Sequence, residues 1–504
     1  MTTPASCCAR RPLAASLWRW LAGLWLVIAG PWLVIAGPWR VVAGRWLVVA
    51  GRWLVVAGLW LVAAGLAPAM AVSAPGGPAA TGLAATATSR PPPALLNFTA
   101  DERRRISQHG PWPPPPARDA GNGLAGNAAA VALGQRLFFD ARLSPDGRLA
   151  CASCHLPALA FSDGQPRSAG RTVPGPAEPS AQAPLDRNAP SLWNAGHQRW
   201  YGWDGAFDSL WSQALHPLMA PREMAADAGH LARVIAADAD LNCRWRQDFG
   251  GAGPRRAMVS GAGPASGSGK AGDESTERVA VGLAKALGAF VASLVSGRTP
   301  FDDFRDALAR NDRAAAARYP VAAQRGLRLF VGRGRCSTCH VGPLFSNGEF
   351  GDIGLPFFVR PGVVDPGRHD GITALRSSPY NLLGPWADVT APGSVDAAQK
   401  TRYVDQQQRN FGEFKLPSLR NVAATAPYMH DGQLATLDAV LNHYSTLDLD
   451  RLHADGEQIL QALHLSRDEH TDLLAFLTSL SDPRATRWRA TPDARPCRLK
   501  NTLR

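Results

Sequence analysis

Two short strings carry the chemistry of this chain: Cys151-Ala152-Ser153-Cys154-His155 and Cys336-Ser337-Thr338-Cys339-His340. Both read C-x-x-C-H. Two thiols three residues apart on one turn can bond both vinyl groups of a haem, while the His that follows lies under the iron as its proximal ligand. With 8 Cys and 12 His among 504 residues, two such strings do not arise by chance. A thioredoxin-like dithiol and a zinc site built from two C-x-x-C halves are the competing readings. The first has no use for a trailing His, and the second needs halves that lie far apart in sequence. Cys243 and Cys497 are left over, either inert and buried or paired in an oxidising compartment.

The elements that must hold these strings read as mostly helical. Apolar residues recur at helical spacing from Ala128 through Leu133, Leu137 and Phe138, again from Arg278 to Val295, and again from Val321 to Val331. Gly134-Gln135-Arg136-Leu137-Phe138 and Gly326-Leu327-Arg328-Leu329-Phe330 each close a helix shortly before a cysteine string, which suggests two related domains. The length has room for two or three. The expected division is an export leader over 1–71, a Pro/Ala/Gly-rich linker or extended arm over 72–127, and a haem domain over 128–249. A flexible Gly/Ala/Ser/Pro-rich insertion over 250–276, a second haem domain over 277–482 and a tail over 483–504 follow.

The leader is built on a seven-residue repeat, with Trp at 18, 25, 32, 39, 46, 53 and 60 and Gly at 23, 30, 37, 44, 51, 58 and 65. The repeat is apolar nearly all round and carries Pro31 and Pro38, which suits membrane contact better than a coiled coil. Basic residues precede it and Ala69-Met70-Ala71 offers a signal-peptidase pattern. It is therefore either cleaved, leaving the mature chain periplasmic, or retained as an anchor, since Leu21–Trp39 and Trp53–Ala71 are each uncharged for a bilayer-spanning length. Cys7 and Cys8 precede the apolar run and do not read as a lipoprotein attachment site. The net charge of +12 is no sign of nucleic-acid binding. Six of the 53 basic residues and none of the 41 acidic ones fall in 1–71, which leaves a spread-out balance of 47 against 41.

From Ala128 to Leu480 the chain resembles the bacterial di-haem cytochrome c peroxidases, including their MauG-like, protein-tryptophan-oxidising members. The resemblance rests on the two haem strings, on Arg187-Asn188-Ala189-Pro190-Ser191-Leu192 followed by Trp203-Asp204-Gly205, and on Phe414-Lys415-Leu416-Pro417-Ser418-Leu419-Arg420-Asn421 followed by Thr425-Ala426-Pro427-Tyr428-Met429-His430-Asp431-Gly432. It implies two covalent c-type haems, the one on His155 binding peroxide and the one on His340 exchanging electrons with it through Trp203. It also implies Glu223 as the acid/base on the peroxide side, with Gln213 beside it, and a calcium ion held by Asn188, Thr425 and Pro427. Two departures stand out. No His or Met occurs between Leu156 and Gly196 to block the first haem, which should therefore be open at rest. Where conventional members place a Met on the second haem, this chain has Tyr444. A phenolate is hard and anionic, and as an axial ligand it lowers the potential. His443 and Met429 are the fallback ligands.

The resemblance implies a mostly α fold of two cytochrome c-like haem domains packed around the calcium site, with long loops covering Trp203. It leaves three functions. The first is a periplasmic enzyme that uses hydrogen peroxide to form high-valent iron and oxidise a partner protein, at a Trp side chain. The second is a conventional peroxidase fed by a small redox protein, and the third is a di-haem electron carrier without catalysis. Glu223 over an open haem speaks against the carrier, and Tyr444 favours the first over the second. No nucleic acid is expected as a partner, and a membrane only through a retained leader.

Overall fold

The apolar stripe of Ala128–Phe138 shows how the chain builds its first core. Asn127 caps the helix by accepting from the Ala129 and Ala130 amides at 2.8 and 3.3 Å, which fixes where the stripe starts. Ala130, Leu133, Gly134, Leu137 and Phe138 are then buried on one face. A side chain at Gly134 would strike the Ala286 carbonyl, so the glycine is what lets the helix Lys270–Ala292 cross at backbone contact. Val321–Val331 repeats the device in a second core: Ala323, Gly326, Leu327, Phe330 and Val331 are buried, and Gly326 lies against the Asp472 carbonyl of the helix Arg467–Thr478. The shared glycine of the two sequence repeats thus has one physical reason, the close crossing of a partner helix.

A computed structural model describes residues 94–116, 119–172, 182–249, 270–356, 358–360, 362–390, 393–451, 459–490 and 497. The leader 1–71, most of the linker, most of the insertion and the end of the tail lie outside the described residues. Among the described residues the chain is mostly helical, with short two-stranded pairs such as Phe350–Gly351 on Phe414–Lys415, and no helix is long and apolar enough to cross a membrane.

The first core gathers Leu137, Phe161, Trp211, Leu215 and Phe290, the second Phe301, Leu327, Phe330, Leu441 and Phe476. The cores do not divide where the sequence suggested. Lys270–Ala292, expected largely in the C-terminal domain, packs in the first core against Ala128–Phe138 and Leu210–Met219. Helical periodicity identifies a helix and the width of its apolar face but not the partner that covers it. The stretch read as linker or arm contains the helix Ala100–Ser107, closed at its start by a Thr99–Glu102 capping box. Phe98 and Ile106 pack it into the second core. The tail returns the other way: Ala485 lies in the first core, and Cys497 is disulfide-bonded to Cys243.

The second core is cross-braced by a buried ion pair. Arg420 donates from Nη1 and Nη2 to the two oxygens of Asp302 at 2.9 Å each, with both side chains fully buried and the Arg420 guanidinium lying 3.6 Å over the Trp112 ring. Burial alone would raise the Asp302 carboxyl, yet the Arg420 fork and the Thr299 hydrogen bonds hold it below the usual range. Asp302→Asn is expected to lower stability by about 3–5 kcal/mol, because it strands a buried guanidinium, as read by urea unfolding of the holoprotein. A depressed carboxyl stabilises fully above its unfolded value of about 3.9. That contribution is lost as pH falls through the folded value, so the difference between variant and parent should shrink in acid.

Candidate haem-binding and peroxide site

Each C-x-x-C-H string ends on a histidine whose orientation is fixed from behind. His155 donates from Nδ1 to the Phe161 carbonyl at 3.0 Å, and His340 does the same to the Phe345 carbonyl at 2.9 Å. Both phenylalanines have positive φ, 60° and 54°, which turns their carbonyls back onto the rings. Ser191 Oγ and Ser418 Oγ brace those turns through the Ala160 and Leu344 carbonyls, at 2.6 and 2.7 Å. With Nδ1 engaged, Nε2 is left as the iron-facing nitrogen. Burial lowers the affinity of both rings for a second proton, so each is a neutral imidazole, the form that binds iron. Burial also pushes the Cys151 and Cys336 thiols up to about 12, the opposite of what a redox dithiol needs. No metal cluster of His, Cys, Asp or Glu forms among the described residues, so the cysteine pairs do not come together as a zinc site would require.

A cavity of about 680 Å³ opens beside the second string, lined by Cys336, Cys339, His340, Tyr444, Arg368 and Lys400. Its size and its donor set, two thiols and a neutral imidazole with Nδ1 satisfied, fit a c-type haem. Tyr444 faces this cavity from the helix Leu437–Ser445, and burial pushes its phenol well up. His443 instead engages the Ile353 carbonyl at 2.8 Å, and neither it nor Met429 lines the cavity.

The two halves of the site are related by a constant interval in sequence. It links Pro190 to Pro417, Asn194 to Asn421, Tyr201 to Tyr428, Gly205 to Gly432 and Ser209 to Thr436. The backbone repeats with it: Asn194 and Asn421 have φ 62° and 63°, Gly202 and Met429 φ 75° and 77°. Ser209 and Thr436 both cap the helix that follows. Sequence reasoning missed this repeat, although Pro-Ser-Leu-x-Asn in both blocks was the signal for it. The repeats grip each other reciprocally. The Asn188 amide donates to the His430 carbonyl at 2.8 Å, and its counterpart Lys415 donates to the Trp203 carbonyl at 2.7 Å.

Trp203 therefore sits where the repeats meet, its indole donating to the Asn188 carbonyl at 2.9 Å while its own carbonyl belongs to the Lys415 strand. Asp204 is held by Arg187 at 2.6 Å, and Arg187 also forks onto Asp365 at 2.8 Å through two nitrogens. Asn188 is brought beside the loop of Thr425 and Pro427 by that same His430 bond, and its Nδ2 donates to the Gln165 carbonyl at 2.8 Å, with no bond to Oδ1 among the described residues. Thr425 Oγ1 turns into its own loop, to the Val422 carbonyl at 3.1 Å.

On the first-string side, Gln213 projects from the helix Leu210–Met219, and its Oε1 is buried without a hydrogen-bond partner among the described residues. The start of that helix is fixed by Asp119, which accepts from the Leu210 and Trp211 amides at 2.7 and 3.1 Å. Glu223 follows in the next turn and is close enough to Cys151, Cys154 and His155 for its charge to act on all three. The structure adds a neighbour that sequence reasoning did not single out: His216 Nε2 lies 3.4 Å from Glu223 Oε1 and is about half exposed.

The sequence model of the di-haem cytochrome c peroxidase family matches residues 128–310. The methylamine utilization protein MauG of Methylorubrum extorquens is 33% identical over 350 residues, spanning 69% of this chain and 77% of that protein. The chain belongs to the di-haem cytochrome c peroxidase family. Cytochrome-c peroxidase IdrP2 of a Pseudomonas species, strain SCT, is also 33% identical, over 76% of this chain and 88% of its own. Among solved structures, a MauG-like protein associated with microbial copper homeostasis superposes with a TM-score of 0.52 at 26% identity, covering 76% of this chain and 97% of that one. Membership in the di-haem peroxidase family makes the protein a peroxide-dependent oxidoreductase with two c-type haems.

Proposed function

We propose that this peroxidase acts in the periplasm, taking two oxidising equivalents from hydrogen peroxide and using them to oxidise a Trp side chain of a partner protein. The observation that carries the reading is Tyr444, which lines the cavity of Cys336, Cys339 and His340. An anionic oxygen ligand there would hold the second iron oxidised, which suits storage of oxidising equivalents better than uptake of electrons from a donor. The MauG and cytochrome-c peroxidase relatives reported above are each 33% identical to the chain, so Tyr444 is what supports the first reading over the second. The disulfide Cys243–Cys497 agrees with an oxidising compartment, and hence with the leader as an export signal.

The two cores would each form a cytochrome c-like domain, with Cys151, Cys154 and His155 holding the peroxide-binding haem and Cys336, Cys339 and His340 the second. When bound, the haems supply the redox chemistry. Glu223 moves a proton from one oxygen of hydrogen peroxide to the other, so that the far oxygen leaves as water. Gln213, with its carbonyl oxygen unpartnered, orients the peroxide by accepting from it. Trp203, bonded to both repeats, carries charge between the halves. Asn188 Oδ1 and the carbonyls of Thr425 and Pro427 would hold calcium, whose preference is for oxygen ligands.

Stopped-flow spectroscopy with one equivalent of hydrogen peroxide and no reductant tests the reading. The oxidised spectrum should outlast the peroxide, and a Trp-bearing protein offered to it should gain oxygen at Trp by mass spectrometry. Rapid turnover with a reduced small cytochrome and no modified Trp would establish the conventional peroxidase instead.

A further inference from the structure

Two cations in the wall of the second cavity, Arg368 and Lys400, have no ion-pair partner among the described residues. Arg368, at the start of the helix Arg368–Ser377, is 3% exposed and is sandwiched between the rings of Phe350 and Trp200, at 4.1 and 4.4 Å. Its Nη1 donates only to backbone, to the Gly205 carbonyl at 2.8 Å and the Asp204 carbonyl at 3.3 Å. Lys400, from the helix Ser394–Tyr403, lies 5.0 Å from the same Trp200 ring. It donates to the carbonyls of Asp208, at 2.8 Å, and Arg199. Neither cation forms an ion pair among the described residues. Burial lowers Arg368 to about 10 and Lys400 to about 8. Asp204, Glu349 and Glu413 attract Arg368 from a distance, and Asp208 and Asp119 attract Lys400. Arg199 repels both, and Arg368 repels Lys400. A buried charge is retained only where something of opposite sign meets it, and the carbonyls supply partial charge alone.

A haem attached through its vinyl groups carries two carboxylates on the rest of its rim, and two unmatched cations face the cavity. We propose that Arg368 and Lys400 are the seat for the carboxylates of the haem held by Cys336, Cys339 and His340. The same two side chains therefore bind the haem rim and the carbonyls of Arg199, Asp204, Gly205 and Asp208, which bracket Trp203. Arg368 and Lys400 are positioning residues for that loop. This rests on the haem assignment made above.

The test is spectroelectrochemistry of the holoprotein, after mass spectrometry has shown haem on both cysteine pairs. A nearby cation favours the reduced iron, so Arg368→Met and Lys400→Met should each lower the midpoint potential of the second haem and leave the first unchanged. The pH at which that potential bends should rise, because a carboxylate without its cation is more basic. Arg368→Lys should restore most of the shift. If Arg368→Met fails to take up haem, Lys400→Met reads the same potential from a less buried site. Unchanged potentials in the variants that retain haem would overturn the seat. So would a wild-type potential that titrates with inorganic phosphate, which would assign the cations to a free anion. A second cysteine pair without haem in the mass spectrum would overturn the haem assignment and the seat with it, a failure distinct from a potential that does not move.

Discussion

Glu223→Gln leaves both haems attached and slows the reaction with hydrogen peroxide by about a hundredfold or more, the usual loss when a general acid/base is removed. The substitution is nearly isosteric, and among the described residues Glu223 makes no structural bond that an amide could not replace: its side-chain partner there is His216 at 3.4 Å. What the amide cannot do is carry a proton between the two peroxide oxygens. The groups that would remain cannot stand in for it. Gln213 is itself an amide, and His216 is about half open to solvent. Stopped-flow rates at several peroxide concentrations, with haem content checked by absorbance, give the second-order constant directly. An unchanged constant would remove Glu223 from the mechanism and reopen the carrier reading, since an open haem without a proton donor has little use for peroxide.

What the sequence made legible is what chemistry fixes locally. The C-x-x-C-H strings are local patterns that form short turns, and the apolar stripes ahead of them form helices with one buried face, while Tyr444, singled out by the family resemblance, lines a cavity. What stayed hidden depends on partners far along the chain. The helix Lys270–Ala292 was readable from its stripe, but nothing in the stripe says that Gly134 waits opposite Ala286. The arm around Phe98 and Ile106 looked too poor in apolar residues to pack, yet one Phe and one Ile on a capped helix suffice when a finished core lies beside them. Both ends cross over, the arm to the second core and the tail to the first, which no local pattern reports. Arg368 and Lys400 were invisible for a related reason. A cation in a string of letters reads as solvated surface, and only burial without an ion-pair partner turns it into a question about a ligand.

Tyr444→Met should convert the second haem from an oxidised-state store into an electron acceptor. Tyr444 and His340 line one cavity, and the phenol makes no hydrogen bond among the described residues that would hold it elsewhere. Burial and the nearby Cys336 and Cys339 thiols keep it protonated in the bare protein. A ferric iron reverses that balance, because an adjacent positive charge favours the phenolate, and the thiols cease to oppose it once they are bonded to haem. Methionine offers a neutral, soft sulfur in the same place, which stabilises ferrous iron. Axial ligands span about 0.8 V of haem potential, and exchange of an anionic oxygen for a thioether should raise the second midpoint by on the order of a few hundred millivolts. Low-temperature electron paramagnetic resonance of the ferric protein reads the ligand itself. The parent should show one high-spin signal, from the open first haem, and one low-spin signal, of which only the low-spin one changes in the variant. The variant should also gain turnover with a reduced small cytochrome and lose the long-lived oxidised spectrum, since both follow from the one potential. Two low-spin signals indifferent to the substitution would mean that both irons are closed by other ligands, and the conventional peroxidase or the electron carrier would then be the better account of the same fold.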